Sequence, residues 1–140
     1  MVQLVGFISP ERNLQKGSAE SVNCRLTGVD ETDVHLPLVE DAEGSEYESV
    51  VVEPIPQSRP ATWNLALWRQ VQRDGTRMLV RGQLMYDNLH QVNDDPAHPQ
   101  SGQPKRFTLW EIHPISGVLL CARPSNDCDP ADPSQWDEVH

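Results

Sequence analysis

The chain has 140 residues, a formal net charge of −10 at pH 7 and three cysteines. A chain of this length can bury one domain core without a disulfide or a metal, and 37% hydrophobic residues with 23% charged residues is typical of a globular protein. The negative charge disfavours general nucleic-acid binding, because such affinity comes mainly from neutralised phosphates. No apolar run approaches the roughly 20 residues of a membrane span, and the N-terminal residues lack the basic start of a signal peptide. These features predict a cytoplasmic single domain and leave its oligomeric state open.

The cysteines lack metal-site spacing. Cys24, Cys121 and Cys128 form no CxxC or CxxH pair, so a zinc ribbon or knuckle is not expected. Free thiols are the expected state of a cytoplasmic protein, with a Cys121–Cys128 bridge as the alternative.

The first half of the chain reads as short strands. An apolar run predicts a strand over 2–8, and strict alternation of apolar and polar residues predicts a half-buried strand over 20–26. A third strand is predicted over 34–39, at an edge or bulge because it contains Pro37. Three consecutive valines predict a fourth strand over 49–55.

The period then changes to that of a helix. Ser58 as cap and Pro60 in the first turn predict a helix over 61–73, with one apolar stripe that includes Trp68. A strand follows over 77–86, and Gly82 within it predicts a bend or a close backbone approach. After it come a long polar loop over 87–105 and a strand over 106–113, which residues 115–121 continue or follow with a strand of their own. The last segment, 122–140, is an acidic tail rich in proline and aspartate.

This order of elements predicts a mostly β fold with one amphipathic helix between strands. It resembles the OB-fold, a small five-stranded barrel that binds ligands on an exposed strand face and the adjoining loops. We therefore expect a barrel-like domain over 1–121 followed by a tail over 122–140. A β-sandwich or another α+β roll is the alternative.

Residues 20–115 also resemble a group of small bacterial proteins without an established activity. The resemblance rests on short blocks, of which the Leu-Trp-Glu-Ile-His-Pro block is the most specific. In this chain the blocks are Asn23-Cys24, Asp33-Val-His35, Val51-Val-Glu53, Trp63, Arg81-Gly82-Leu84-Asp87 with His90, and Leu109 to Pro114. The loop after His90 is longer and richer in proline than the group's pattern. The resemblance implies a family identity and no function.

Three histidines stand beside carboxylates. Asp33 and His35 are two apart on a predicted strand, so their side chains share a face. Glu111 and His113 repeat that spacing, and Asp87 and His90 lie where a strand enters the long loop. If these segments converge, His35, His90 and His113 could bind a divalent transition metal such as Zn²⁺, Mn²⁺ or Fe²⁺, with the carboxylates as ligands or their supports. Metal-free general-base catalysis and purely structural pairs are the alternatives.

A second candidate surface lies on the predicted helix. Trp63 begins the helix at the edge of its apolar stripe and is expected to be exposed. Arg69 and Arg73 are predicted on the solvent-exposed face of the helix. We interpret these three residues as candidate ligand contacts.

Three functions fit these patterns. The leading one is a binding module that holds a partner protein or a small ligand on a barrel face and the 87–105 loop. The alternatives are a metal-dependent, nuclease-like hydrolase built on the histidines, and an accessory component of a larger assembly.

Overall fold

A computed structural model of the chain describes residues 1–14 and 31–140. The predicted strand over 20–26, including Cys24, lies outside the described residues. Among those that are described, no helix has the length and apolar character needed to cross a membrane.

The described residues form six strands and one α-helix, close to the predicted order. In chain order these are β1 (Val2–Ile8), β2 (Leu36–Val39), β3 (Val50–Val52), α1 (Leu65–Arg73), β4 (Met78–Tyr86), β5 (Trp110–Cys121) and β6 (Trp136–Glu138). Residues 115–121 continue the strand predicted over 106–113, which is one of the two predicted arrangements, and β5 passes through a cis peptide bond between His113 and Pro114.

The first five strands close into a barrel. β1 pairs antiparallel with β2 and β4, β2 pairs with β3, and β4 pairs with β5. A parallel pairing of β3 with β5, at Val52 and Ile112, closes the ring. With α1 inserted between β3 and β4, this arrangement confirms the predicted small OB-like barrel with a single helix.

Helix α1 covers one part of the barrel core. Its apolar stripe places Trp68 and Val71 in the same buried cluster as Val80 of β4. The helix begins later than predicted, because the side chain of Asn64 rather than that of Ser58 provides the cap. Oδ1 of Asn64 accepts hydrogen bonds from the backbone N–H groups of the first turn.

Gly82 lies at a close approach between β4 and β5. A Cβ atom at this position would be 2.5 Å from both the Pro114 carbonyl oxygen and Cγ2 of Ile112. The pairing register of β4 with β5 shifts on both sides of Gly82. The predicted bend and close backbone approach are therefore confirmed.

The C-terminal residues belong to the domain, in contrast to the tail expected over 122–140. β6 pairs antiparallel with β5, and the indole of Trp136 is buried with its Nε1–H donating to the carbonyl of Asp129.

A disulfide joins Cys121 and Cys128. The expectation of free thiols is wrong for these two residues, and the predicted alternative bridge is present. Trp136 and the disulfide fill a second small apolar cluster, which holds the segment against the sheet.

Candidate metal centre

Three side chains from separate segments converge beside the closing pair of strands. Asp33 precedes β2, Glu53 follows β3, and His113 lies within β5. The backbone N–H of Glu53 donates to the carbonyl of Ile112 at 3.0 Å, and the N–H of Ile115 donates to the carbonyl of Glu53 at 3.0 Å. These two hydrogen bonds hold Glu53 directly beside His113, so the parallel closure of the barrel builds the site.

The ligand atoms of this site lie close enough to share one ion. Nε2 of His113 is 3.4 Å from Oε2 of Glu53 and 3.7 Å from Oδ2 of Asp33. One potential ligand atom from each of Asp33, Glu53 and His113 lies within 4.8 Å of the others. Both carboxylates are buried, whereas the His113 side chain keeps 22% of its surface exposed. The site therefore sits just beneath the surface.

His35 contacts the same carboxylate from the other side. Its Nε2 is 2.8 Å from Oε1 of Glu53, and both side chains are buried. Glu53 thus lies between two imidazoles, with Oε1 towards His35 and Oε2 towards His113. His35 is placed to orient Glu53 by binding the oxygen that does not face His113.

Both ring nitrogens of His113 contact neighbouring side chains. Nδ1 lies 3.3 Å from Sδ of Met85, which leaves Nε2 directed at the two carboxylates. The polar interaction with Asp33 raises the pKa of His113, partial burial opposes that rise, and the negative charges of Glu53 and Glu111 add to it. A cation is therefore favoured at this point, whether it is a proton on Nε2 or an ion bound in its place.

A second polar cluster adjoins the first. The guanidinium of Arg106 is fully buried and donates from Nη1 to Oδ2 of Asp87 at 2.6 Å and from Nη2 to Oε2 of Glu111 at 3.1 Å. Nδ1 of His90 lies 2.6 Å from the same oxygen of Asp87. The backbone of Arg106 also pairs with Asn93. Arg106 thereby ties both ends of the 87–105 loop to the barrel.

The two carboxylates of this cluster titrate differently. Burial, together with the negative charge of Glu53, raises the pKa of Glu111 to about 7, although Arg106 opposes the rise. Burial would also raise the pKa of Asp87, but hydrogen bonds from the N–H of Leu89 and from His90, with the charges of His90 and Arg106, bring it below its usual value. The electrostatic effect of Glu53 on Glu111 shows that the two clusters are coupled.

The structure divides the predicted site residues between these clusters. Asp33 and His113 lie in one cluster, and His35 contacts Glu53 of that cluster. His90, Asp87 and Glu111 join Arg106 instead, so the three histidines do not share one ligand set in the described part of the chain.

The predicted ligand contacts on the helix lie elsewhere. The expectation that Trp63 is exposed is wrong: it is 3% exposed, packs edge-on against Trp68 and donates from Nε1 to the carbonyl of Val139 at 3.0 Å. Arg69 donates to the carbonyl of Leu14, and Arg73 is exposed beside Asp74.

Two residues of these clusters were not predicted as site residues. Glu53 ends the Val-Val-Val strand, and its place in the short Val-Val-Glu block was the available signal. Arg106 looks like the polar start of a strand, and nothing in its spacing distinguishes it. Arg106 can be buried because Asp87 and Glu111 neutralise it, and the fold alone brings these acids to it.

Comparison with protein-family models, curated proteins and solved structures finds no match for this chain. The resemblance to small bacterial proteins therefore stays a prediction.

Proposed function

We propose that this chain is a small binding module whose ligand is a divalent transition-metal ion held by Asp33, Glu53 and His113. The observation that carries the proposal is the meeting of three potential ligand atoms within 4.8 Å, each from a different segment of the barrel. Two carboxylate oxygens and one imidazole nitrogen form a mixed donor set that suits Zn²⁺, Mn²⁺ or Fe²⁺.

The spacing of the ligand atoms supports one shared ion. Two atoms that are each about 2.1 Å from a tetrahedral ion lie about 3.4 Å apart. The separations of 3.4 and 3.7 Å from Nε2 of His113 to the two carboxylates are close to that value. Small side-chain rotations therefore suffice to bind an ion.

The charge of the site also favours a dication. Asp33 and Glu53 are both buried, and buried charges are normally paired or coordinated to a metal. Arg106 is bound to Glu111 and Asp87, so its charge is already engaged in the second cluster. An ion beside Asp33 and Glu53 would supply the opposite charge where these two carboxylates meet.

The decisive experiment is metal titration of the purified, chelator-treated chain. Isothermal titration calorimetry with Zn²⁺ and Mn²⁺ is expected to show one site per chain, which Asp33→Asn and Glu53→Gln each abolish. His98→Ala is the matched control, because Nδ1 of His98 is 2.8 Å from Asp95 in an exposed two-residue pair. Unchanged binding in both carboxylate variants, with their folds intact, contradicts the proposal.

Hydrolysis is a second candidate function at the same site. Three protein ligands leave at least one position of a four-coordinate ion open, and the partial exposure of His113 gives water access to it. A bound ion of this kind can lower the pKa of water and generate hydroxide. The test is metal-dependent cleavage of an activated ester and of an activated phosphodiester. Activity that survives Glu53→Gln would argue against it.

Partner binding, the leading prediction from the sequence, is favoured by a different surface. Tyr86 and Trp110 lie opposite one another on β4 and β5, with ring centroids 5.1 Å apart and about half of each side chain exposed. Exposed aromatic pairs are common anchors of protein interfaces. A protein recovered with the wild type and lost with Tyr86→Ser/Trp110→Ser supports this function, and equal recovery contradicts it.

A further inference from the structure

One arginine joins the two segments that carry the carboxylates. Arg59 lies between β3 and α1, and its Nη1 donates to the carbonyl of Thr32 at 2.9 Å and to that of Pro54 at 3.1 Å. Thr32 immediately precedes Asp33, and Pro54 immediately follows Glu53. A single nitrogen atom therefore bridges the backbone beside both ligands.

This bridge lies where regular strand pairing ends. The ladder between β2 and β3 runs from Leu38 opposite Val50 to Leu36 opposite Val52. Beyond it, among the described residues, the N–H of Val34 donates to the carbonyl of Pro54 at 3.3 Å, a long hydrogen bond. The bond to Arg59 thus adds a charge-assisted contact where the ladder alone holds the segments weakly.

We propose that Arg59 is a positioning residue that sets the gap between the carboxylates of Asp33 and Glu53, and thereby selects the bound ion by its size. This inference rests on the proposed metal binding. Arg59 acts through the backbone rather than as a ligand. With the gap fixed, the site favours an ion with short bonds, such as Mn²⁺, over Ca²⁺, which needs bonds of about 2.3–2.6 Å and six to eight ligands.

The comparison of two ions separates geometry from charge. Loss of the positive charge of Arg59 would favour binding of any dication, which could mask the loss of a positioning contact. Mn²⁺ and Ca²⁺ carry the same charge, so their affinity ratio cancels that effect to first order. The ratio reports the shape of the site, and a general loss of stability would not change it selectively.

Arg69 provides a matched control. It also donates to a backbone carbonyl, that of Leu14, from Nε at 3.2 Å and from Nη2 at 3.1 Å. Arg69→Met removes a comparable contact on α1, away from the carboxylates. It is expected to lower the thermal midpoint about as much as Arg59→Met while leaving the ion preference unchanged.

The experiment is calorimetric titration of the full chain with Mn²⁺ and with Ca²⁺, for the wild type, Arg59→Met, Arg59→Lys and Arg69→Met. In Arg59→Met the Mn²⁺:Ca²⁺ affinity ratio should fall by about 10-fold or more, as is usual when support of a metal ligand is lost. Arg59→Lys retains a donor and should recover part of the ratio.

The outcomes separate the two proposals. A wild type that binds neither Mn²⁺ nor Ca²⁺ overturns this inference, and one that also fails to bind Zn²⁺ overturns the metal site. A wild type that binds Mn²⁺, with the same ratio in Arg59→Met and Arg69→Met, overturns the role of Arg59 alone. If Arg59→Met does not fold, the comparison rests on Arg59→Lys, and a wild-type ratio in that variant overturns the inference.

Discussion

Nε2 of His35 lies 2.8 Å from Oε1 of Glu53, and both side chains are buried. We expect the contact to oppose rotation of the Glu53 side chain, because rotation would separate a buried carboxylate from its neighbour. It occupies one carboxylate oxygen and leaves Oε2 facing His113. We therefore expect His35 to orient Glu53 in the proposed site, whereas the sequence predicted it as a ligand.

Replacing His35 should therefore weaken metal binding without abolishing it. His35→Phe is expected to lower the metal affinity by about 10- to 100-fold and the free energy of unfolding by about 3 kcal/mol, because Glu53 loses a buried partner. Calorimetry and urea unfolding give these two values. His98→Phe, in an exposed pair, should change neither. Wild-type affinity in His35→Phe would remove His35 from the site.

Replacing Arg106 should destabilise the fold and free the long loop. Arg106→Met leaves Asp87 and Glu111 buried without their shared cation, for which we expect a loss of about 3–5 kcal/mol in urea unfolding. Limited proteolysis should then cut within 87–105 faster than in the wild type. Arg123→Met, which removes an exposed ion pair with Asp127, is the control and should behave as wild type. Equal protection of the loop in both variants would contradict the role assigned to Arg106.

The raised pKa of Glu111 predicts that stability falls as the pH rises. With a pKa of about 7 in the folded chain against 4.5 in the unfolded chain, the native state binds the extra proton between these values. The free energy of unfolding should therefore decrease by about 3 kcal/mol between pH 4.5 and 7, and stay lower above pH 7.

Glu111→Gln isolates this effect, because the amide does not titrate. Urea unfolding in the presence of chelator, measured at pH 5 and pH 8, should give a smaller difference for the variant than for the wild type. The remaining slope is assigned to His113, whose raised pKa also gives stability that is lost at high pH. Identical slopes for both proteins would show that Glu111 titrates normally.

Gly82 should not tolerate a side chain. In Gly82→Ala the new Cβ would be 2.5 Å from the carbonyl oxygen of Pro114 and 2.9 Å from Cα of Ile115, and backbone atoms cannot move aside cheaply. We expect a loss of about 1–3 kcal/mol from this overpacking. Gly117→Ala is the control, since its Cβ would make only ordinary contacts with Arg81. Equal stability of the two variants would contradict the close approach.

The strands and the fold were predictable from the sequence because each signal is local. Alternation and β-branched residues marked β1 to β5, and the change of period marked α1. The Asn64 cap and the attachment of β6 were missed. A capping side chain competes with nearby alternatives such as Ser58, and a short polar strand such as Trp136–Glu138 shows no apolar alternation.

The candidate site was only partly predictable, since it depends on contacts between distant segments. Asp33 and His113 stood out because each lies two residues from another ionisable group. Their meeting, and the inclusion of Glu53, follow from the parallel pairing of β3 with β5, which no spacing along the chain indicates. His90 was assigned to the wrong group because the acid beside it, Asp87, is held by Arg106.

The parallel seam between β3 and β5 joins parts of the chain that are far apart in sequence, Val52 and Ile112. Contacts of such long range form slowly, because the entropy cost of closing a large loop precedes the favourable energy of the contacts. Glu53 and His113 lie beside this seam, on opposite sides of it, and would separate if it opened. An ion bound between these residues would stabilise the closed barrel. Its free concentration would therefore affect the rate at which the barrel opens. Chelation would then shorten the lifetime of the native state, an effect that unfolding kinetics would detect even where the equilibrium fold looks unchanged.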